Sequence, residues 1–576
     1  MRILASLLAA FLIPLLPAGP ARAADPPLVT VDGTRFVDGH GREVVLRGFN
    51  VSGEVKLAEN GGLPFADAAA ARSSAVAMRN LTNANAVRFL LSWEAAQPAP
   101  GTVDTTYLTK VAEQAGAYAD QGFAVLFDFH QDLFSRWLFN SGSWYTGDGA
   151  PQWVVAGGGY PPESCGICFT WGQNITQNAA VRQATYDFWH NARGIRGEFV
   201  WQARQLLTYL RTSLTAAQFA HVLGVDPVNE PYAGNYDSAQ HSRTWERDVL
   251  WPFYQQFRAM MDDAGWADRP VFAEPNLFWN GNVSNQPGGF LDAGAIGPRY
   301  VFNTHFYDQQ AISGVLMWGK ATDGQESDDF ALVRDRSAAL STPAIVAEFG
   351  HPLTGYTSDK APSVDKAIYQ GLDSRNPGAQ WWAKAATSGP VLSGMQWHWD
   401  TWSGQHHELM NGNPDKVQTT GDAWNGEDFS VVASGALRQD ARLLDRVYPA
   451  AVAGRTLAFA YEDRSRDGSS VMAWIPVPST MPNVRTTVNS SRYAVLAWRS
   501  GGDGAATEIK LPAGFRNTVV SDVAYTISAD ARTLSLSGAG AAGVVHYALI
   551  TDAAPPPAAV LAAAKAELAA WIMTVA

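Results

Sequence analysis

The sequence predicts a TIM-type (β/α)8 barrel followed by an antiparallel β-sandwich, and three observations carry that reading. From about residue 35 to 400, short β-rich runs alternate with longer helical stretches. After about residue 440 the helical periodicity is lost, and short alternating or apolar runs remain, separated by Gly, Asp and Ser. The length of 576 residues exceeds what one core normally serves, so a barrel plus a smaller unit is the expected division.

The elements follow in order. Val44–Phe49, Ala86–Leu91, Ala124–Phe129 and Val222–Val228 read as strands, being short runs of mostly branched or aromatic residues. Val271–Glu274, Tyr300–Phe306, Ala344–Phe349 and Gly394–Trp399 complete a set of eight. Helical candidates between them are Ala66–Asn80, Tyr107–Gln121, Glu198–Arg211, Trp245–Asp263 and Ser363–Thr387. Such alternation predicts a closed parallel sheet whose chemistry lies at the carboxyl ends of its strands. In the C-terminal part, Thr456–Phe459, Ser470–Trp474, Tyr493–Trp498, Ala505–Leu511, Val519–Ile527 and Val544–Ile550 read as sandwich strands. Ala553–Ala558, with three consecutive prolines, reads as a semi-rigid linker. Val560–Trp571 is alanine-rich and helical in propensity, and too short and too charged (Lys565, Glu567) for a membrane span. The expected division is a leader over 1–24, the barrel over 25–435, the sandwich over 436–552, and linker plus tail over 553–576.

Composition excludes several classes. Hydrophobic content of 47% with 17% charged residues describes an ordinary globular chain. A net charge of −12 argues against nucleic acid as a partner. The 21 tryptophans and 18 tyrosines suit either sugar-stacking surfaces or a large aromatic core. At the N-terminus, Arg2, the apolar stretch Ile3–Leu16 and Ala21-Arg22-Ala23 form a secretory signal pattern, so the protein is expected to be secreted. Cys165 and Cys168 are the two cysteines, and in an exported chain a small loop disulfide is favoured over a redox or zinc site.

Two strand ends carry carboxylates. Asp226-Pro227-Val228-Asn229-Glu230-Pro231 ends the fourth strand, and Ile345-Val346-Ala347-Glu348-Phe349-Gly350 ends the seventh. Breaking a glycosidic bond requires a carboxylic acid to protonate a poor leaving group, and a second carboxylate opposite it. Asn229 is placed to bind the sugar hydroxyl next to the anomeric carbon. Each motif alone reads equally well as a turn or a strand-end ion pair; together they favour catalysis.

The order and separation of the two motifs resemble glycoside hydrolase family five, of the cellulase-like clan of retaining glycosidases. The resemblance implies Glu230 as acid/base and Glu348 as nucleophile. It also implies that Arg88, in Val-Arg-Phe-Leu-Leu, contacts the nucleophile, and that His130, in Asp-Phe-His-Gln-Asp, binds sugar. His305 and Tyr307, in Asn-Thr-His-Phe-Tyr, match the His beside the acid/base and the Tyr that bonds the nucleophile. In Gly-Met-Gln-Trp-His-Trp-Asp, Trp397 is the choice for the tryptophan under the reacting sugar, with Trp399 as its rival. Within the family, Asp128–Arg136, Tyr145–Pro151, the Cys165–Cys168 segment and Gly48-Phe49-Asn50 followed by Lys56 look like the endoglycoceramidase branch. That branch implies hydrolysis between an intact glycan and ceramide, with Lys56 and Asp132 binding sugar hydroxyls.

The expected substrate is thus a glycosphingolipid, handled by a monomer with no metal or organic cofactor signalled. The apolar residues of the insert after His130 (Phe134, Trp137, Leu138, Phe139, Trp144, Tyr145, Trp153 and Val154) are candidates for lining a ceramide channel, or for packing under a long loop. The sandwich reads as a brace for the barrel, with a carbohydrate-binding module or a membrane-surface contact as alternatives. Rival functions are another family-five enzyme (cellulase, mannanase or steryl-glucoside hydrolase) and a non-catalytic glycolipid-binding protein.

Overall fold

The computed structural model describes residues 28–575 apart from 52, 141–142, 144, 167, 169–171, 282–286, 315–316, 318, 323, 374–389, 400–427, 434, 464–491, 516–517 and 539. The leader pattern, Trp144, the Ser470–Trp474 run and the end of the Ser363–Thr387 helix lie outside the described residues.

Eight strands form the barrel: β1 (Arg47–Val51), β2 (Ala86–Ser92), β3 (Ala124–His130), β4 (Val222–Asp226), β5 (Val271–Ala273), β6 (Tyr300–Phe306), β7 (Ala344–Phe349) and β8 (Ser393–Gln396). Each pairs in parallel with the next, and β8 closes on β1. Strands β2 and β3 are buried along their whole length, which is why they read as unbroken apolar runs rather than alternating ones. Gly48 in β1 has a steric reason: a Cβ there would collide with the Ala86 carbonyl of β2.

The principal helices are α1 (Ala68–Thr82), α2 (Thr105–Ala119), α3 (Ile195–Ser213), α4 (Trp251–Asp263), α5 (Ser327–Leu340) and α6 (Ala361–Leu372). Asp67 and Asp104 start the first two, each accepting hydrogen bonds from backbone N–H groups of the first turn. The run expected as one helix from Trp245 is helical throughout, but a wider π-turn over Glu246–Leu250 precedes α4.

The C-terminal sandwich has two antiparallel sheets, built from β9 (Tyr448–Val452), β10 (Gly454–Asp463), β11 (Arg492–Ser500), β12 (Thr507–Lys510), β13 (Thr518–Ser521), β14 (Tyr525–Ile527), β15 (Thr533–Leu536) and β16 (Val545–Thr551). One sheet runs β10-β11-β16-β13. The other runs β9-β12-β15-β14 and continues, beyond β9, into three strands from the chain start: Glu43–Val44, Arg35–Asp38 and Val29–Asp32. Val44 pairs with Ala451, so the start of the run Val44–Phe49 belongs to the sandwich sheet and the barrel strand begins at Arg47. This N-terminal hairpin also plugs the barrel floor: Phe36 stacks on Phe272 of β5 with ring centroids 6.3 Å apart.

Phe459, Leu496, Trp498, Ile509, Leu534 and Ile550 fill the space between the sheets. The outer face of the four-stranded sheet is covered by a helix, α7 (Ala558–Val575), through Ala564, Leu568 and Trp571 packed on Val495, Ala497 and Leu549. The alanine-rich tail is therefore a lid on a sheet. Its small side chains let the helix lie close to the strands. Among the described residues, no helix is long and apolar enough to cross a membrane.

Candidate active site

The barrel mouth gathers the strand-end polar residues. A register shift between Val346 and Glu348 in β7 sets Glu348 level with His305 of β6. Such bulges re-aim side chains next to active sites. Glu230 lies just beyond β4 with φ at +43°, a left-handed conformation that side-chain-bearing residues seldom adopt. Neighbouring groups hold it there. Gln131 Nε2 donates to the Asn229 carbonyl at 2.8 Å, and the Glu230 N–H donates to Glu274 Oε2 at 3.1 Å.

A carboxylate oxygen of Glu230 and one of Glu348 lie within 4.8 Å of each other, and His305 lies within the same distance of both. That matches the close pairing of a double-displacement site rather than the wider gap of about 6.5–9.5 Å that admits a water between the carboxyls. Their surroundings differ. Glu348 receives hydrogen bonds from Arg88 Nη1 and, at 3.0 Å, from the Tyr307 hydroxyl. Among the described residues no arginine pairs with Glu230; its Oε1 is 3.0 Å from His305 Nδ1. Burial raises the Glu230 pKa, and the hydrogen bond from His305 opposes that rise. Glu230 is biased toward the acid form, whereas Glu348 is bound by a guanidinium and a hydroxyl.

Arg88 is fully buried and pairs with a ring of acceptors. Its guanidinium donates to Asn50 Oδ1 at 3.1 Å, Asp226 Oδ2 at 2.8 Å, Asn229 Oδ1 at 2.8 Å and Glu274 Oε1 at 3.3 Å, and ion-pairs with Asp128 Oδ1 at 2.9 Å. Burial works against the charged form of His305, yet the carboxylates of Glu274 and Glu348 outweigh it and raise its pKa well above the ordinary range. Asp226 moves the other way: burial and the neighbouring Glu274 raise it strongly.

A second cluster flanks the pair. Lys56 bonds to Asp132, and its ammonium sits 4.4 Å from the centroid of the Trp397 ring. His130 lies parallel to that ring at 5.2 Å, with Nδ1 at 2.7 Å from Asp128 and Nε2 at 3.3 Å from Asp132. Burial and the Lys56 ammonium lower the His130 pKa, but Asp128 and Asp132 overcome them and lift it to about 9. Burial opposes ionisation of Asp132, but Lys56 and His130 bring its pKa down to about 2. Trp397 thus reaches the mouth. Trp399 does not: it is fully buried against Phe49, and its indole N–H donates to Ser74 Oγ at 2.9 Å.

All ten residues singled out from sequence (Lys56, Arg88, His130, Asp132, Asn229, Glu230, His305, Tyr307, Glu348 and Trp397) meet in this mouth. Sequence reasoning passed over Asn50, Asp128, Asp226, Glu274 and Asn303. Each is a polar residue near the end of an apolar barrel strand, and that pattern was available as a signal. The other buried residues of the insert take the second of the two roles open to them, packing under a long loop. Leu138, Phe139 and Val154 join the barrel's main core, and Trp137 and Trp153 donate their indole N–H groups to Glu94 and to the Gln97 carbonyl. Among the described insert residues proposed for a channel, Phe134 alone lines the apolar cavity of about 40 Å³ beside the mouth, with Trp93, Phe129, Phe188 and Tyr232. A long loop over a barrel buries its own apolar residues first. Cys165 and Cys168 are joined by a disulfide.

Comparison with known proteins agrees with this geometry. The curated endoglycoceramidase I of Rhodococcus hoagii (strain 103S) is 26% identical over 385 residues, covering 62% of this chain and 68% of that one. A solved endogalactoceramidase superposes with a TM-score of 0.62 at 23% identity, covering 91% of this chain and 100% of that chain. Sterylglucosidase 1 of Cryptococcus neoformans superposes with a TM-score of 0.66 at 14% identity, covering 93% and 99%. At such identities the superpositions speak for the fold alone. The family profile goes further, because Cellulase (glycosyl hydrolase family 5) matches residues 37–388, most of the chain and nearly the whole barrel. With that match around a mouth holding two closely spaced carboxyls in opposed environments, the chain belongs to glycosyl hydrolase family 5 and is a glycoside hydrolase.

Proposed function

We propose that this protein is a secreted retaining endo-glycosidase that cleaves the β-glycosidic bond between an intact glycan and ceramide, releasing oligosaccharide and ceramide. The carrying observation is the Glu230–Glu348 pair, within 4.8 Å and differently partnered. The substrate class is supported by the likeness to endoglycoceramidase I. Export is supported by the leader pattern over Arg2–Ala23.

Glu348 attacks the anomeric carbon of the sugar joined to ceramide, and Glu230 gives its proton to the departing oxygen. Glu230, now a carboxylate, takes a proton from water, which releases the glycan with its configuration retained. Arg88 and Tyr307 keep the nucleophile oriented. Asn229, locked by Arg88 and by a bond from its Nδ2 to the Gln131 carbonyl at 3.1 Å, presents the sugar hydroxyl partner. Lys56, His130, Asp132 and Trp397 form the sugar-binding wall. Each step is carried by these side chains and water.

The test is incubation with gangliosides, globosides, simple cerebrosides and cellooligosaccharides. Free oligosaccharide plus ceramide is the expected result. Activity on cellooligosaccharides alone sinks the glycolipid reading, and tight binding of an uncleaved glycolipid favours a binding protein. The Glu230→Ala variant is expected to lose glycolipid hydrolysis yet still form the glycosyl-enzyme from aryl glycosides whose leaving groups need no protonation.

A further inference from the structure

Glu274 follows strand β5 in Phe272-Ala273-Glu274-Pro275, and the two-carboxylate mechanism does not use it. It is almost fully buried. Its backbone is locked by Tyr254 of α4, whose hydroxyl accepts the Glu274 N–H at 3.1 Å and donates to the Glu274 carbonyl at 2.9 Å. The side chain then reaches both halves of the catalytic machinery. Oε2 accepts the backbone N–H of Glu230, the residue held at positive φ. Oε1 lies 3.1 Å from His305 Nε2 and 3.3 Å from Arg88 Nη2.

His305 is a two-sided cation. Its Nδ1 faces Glu230 at 3.0 Å and Glu348 at 3.5 Å, and its Nε2 faces Glu274. During the reaction the charge near Nδ1 changes place. Before attack Glu348 is the anion and Glu230 is neutral; in the glycosyl-enzyme Glu348 is a neutral ester and Glu230 is the anion. The imidazolium meets one catalytic anion at each stage, and a fixed anion on its other side holds it charged while that partner changes. Glu274 is placed to do so. The remaining groups around Glu274 fit that account. Asp226, biased toward its neutral form, and Asn303 Nδ2 at 3.4 Å supply hydrogen bonds rather than negative charge, and Arg88 supplies a fixed positive one. Asp226, Glu274 and His305 are also close enough to share a metal ion, but Arg88 already bridges the two carboxylates from 2.8 and 3.3 Å.

We propose that Glu274 is a positioning residue that keeps His305 cationic through both steps and pins the backbone of Glu230. The proposal rests on the double-displacement reading above. Its test uses the full chain carrying Glu274→Gln or Glu274→Asp, on an aryl β-glycoside and on a glycolipid. Glu274→Gln is expected to lower kcat more than tenfold with little change in KM. With one anion removed from the cluster, His305 loses its proton more easily and the ionisation of Glu230 is opposed by one fewer negative charge. The alkaline limb of the pH–rate profile therefore moves down, by about one unit. Glu274→Asp should recover part of each effect, and it covers the case in which the Gln variant folds poorly. Nitrogen-15 histidine spectra of the resting protein read the same point without substrate: the His305 imidazole should deprotonate at lower pH in Glu274→Gln. An unmoved alkaline limb and an unmoved His305 titration overturn the proposal, even if activity falls. A wild type inactive on every glycoside overturns the double-displacement reading instead, while the spectra still report on Glu274.

Discussion

The two ends of the barrel bury opposite kinds of charge. At the mouth, the cations Arg88 and His305 are surrounded by Asp128, Asp226, Glu230, Glu274 and Glu348, so carboxyl groups are in excess. At the floor, against the sandwich, Arg47, Arg334 and Arg446 surround the carboxylate of Asp373, and among the described residues guanidinium groups outnumber the carboxylates paired with them. Arg47 and Arg446 reach Asp373 from 3.5 and 3.4 Å. The surplus positive charge at the floor is met by groups that stay neutral: a backbone carbonyl and two tyrosines whose pKa burial raises. Arg334 Nη2 donates to the Asp373 carbonyl at 2.7 Å, and the Arg446 guanidinium lies 5.0 Å from Tyr369 and 4.9 Å from Tyr461 of the sandwich. At the mouth the surplus consists of acids whose protonation differs from one to the next. A buried cluster that must only hold uses carbonyls and aromatic faces; one that must move protons keeps several carboxyls near one another.

Four substitutions test that contrast, beginning with the largest effect. Glu348→Gln should lower glycan release by at least about 10³-fold, with the melting temperature little changed. Residual activity near wild type in a steady-state assay refutes the nucleophile assignment. At the other end, Asp373→Asn should cost about 3–5 kcal/mol in urea unfolding, because two buried guanidiniums lose their counter-charge. The kcat of the folded fraction should stay put; a matching loss of kcat would show that the floor is wired to the mouth. The two neighbouring tryptophans sharpen the same division. Trp399→Ala should destabilise by roughly 3–5 kcal/mol through the cavity it leaves. Trp397→Ala should instead lower kcat/KM by roughly 100-fold through lost sugar positioning, and thermal melts beside kinetics separate the two.

The smallest effect concerns pH. His130 has its pKa raised from the ordinary 6.5 to about 9. A base with a raised folded-state pKa contributes stability that is fully present below pH 6.5 and is lost as pH rises through 9. The penalty for His130→Gln should therefore be greatest in acid, at about 3 kcal/mol or less, and shrink above pH 9. A penalty independent of pH between 6 and 9.5 would mean that the ring matters only through its stacking on Trp397.

The barrel was legible because buried parallel strands are local apolar runs, and helices between them carry their own caps at Asp67 and Asp104. The mouth was legible to the extent that its residues sit in short motifs at strand ends. Glu274 escaped because a lone Glu before Pro275 carries no local mark of having His305 and Arg88 as partners. The sandwich was harder. Its first sheet takes strands from Val29–Val44, more than 400 residues away from their partner β9, and no local pattern announces such a pairing. The aromatic insert stayed undecided in sequence for a related reason. Phe139 and Val154 look the same in sequence whether they face a lipid or the core, and only packing separates those fates.

Sequence by itself determined the class of fold, the pair Glu230 and Glu348, and the residues arranged around them. Those depend on strand periodicity and on side-chain chemistry carried within a few residues. Tertiary structure decided which of two tryptophans reaches the mouth, that the alanine-rich tail seals a sheet, and that a third carboxylate stands behind His305. These outcomes depend on which surfaces meet across hundreds of residues of chain. Charge and burial at a site are sums over neighbours in space, and a linear sequence does not state who those neighbours are.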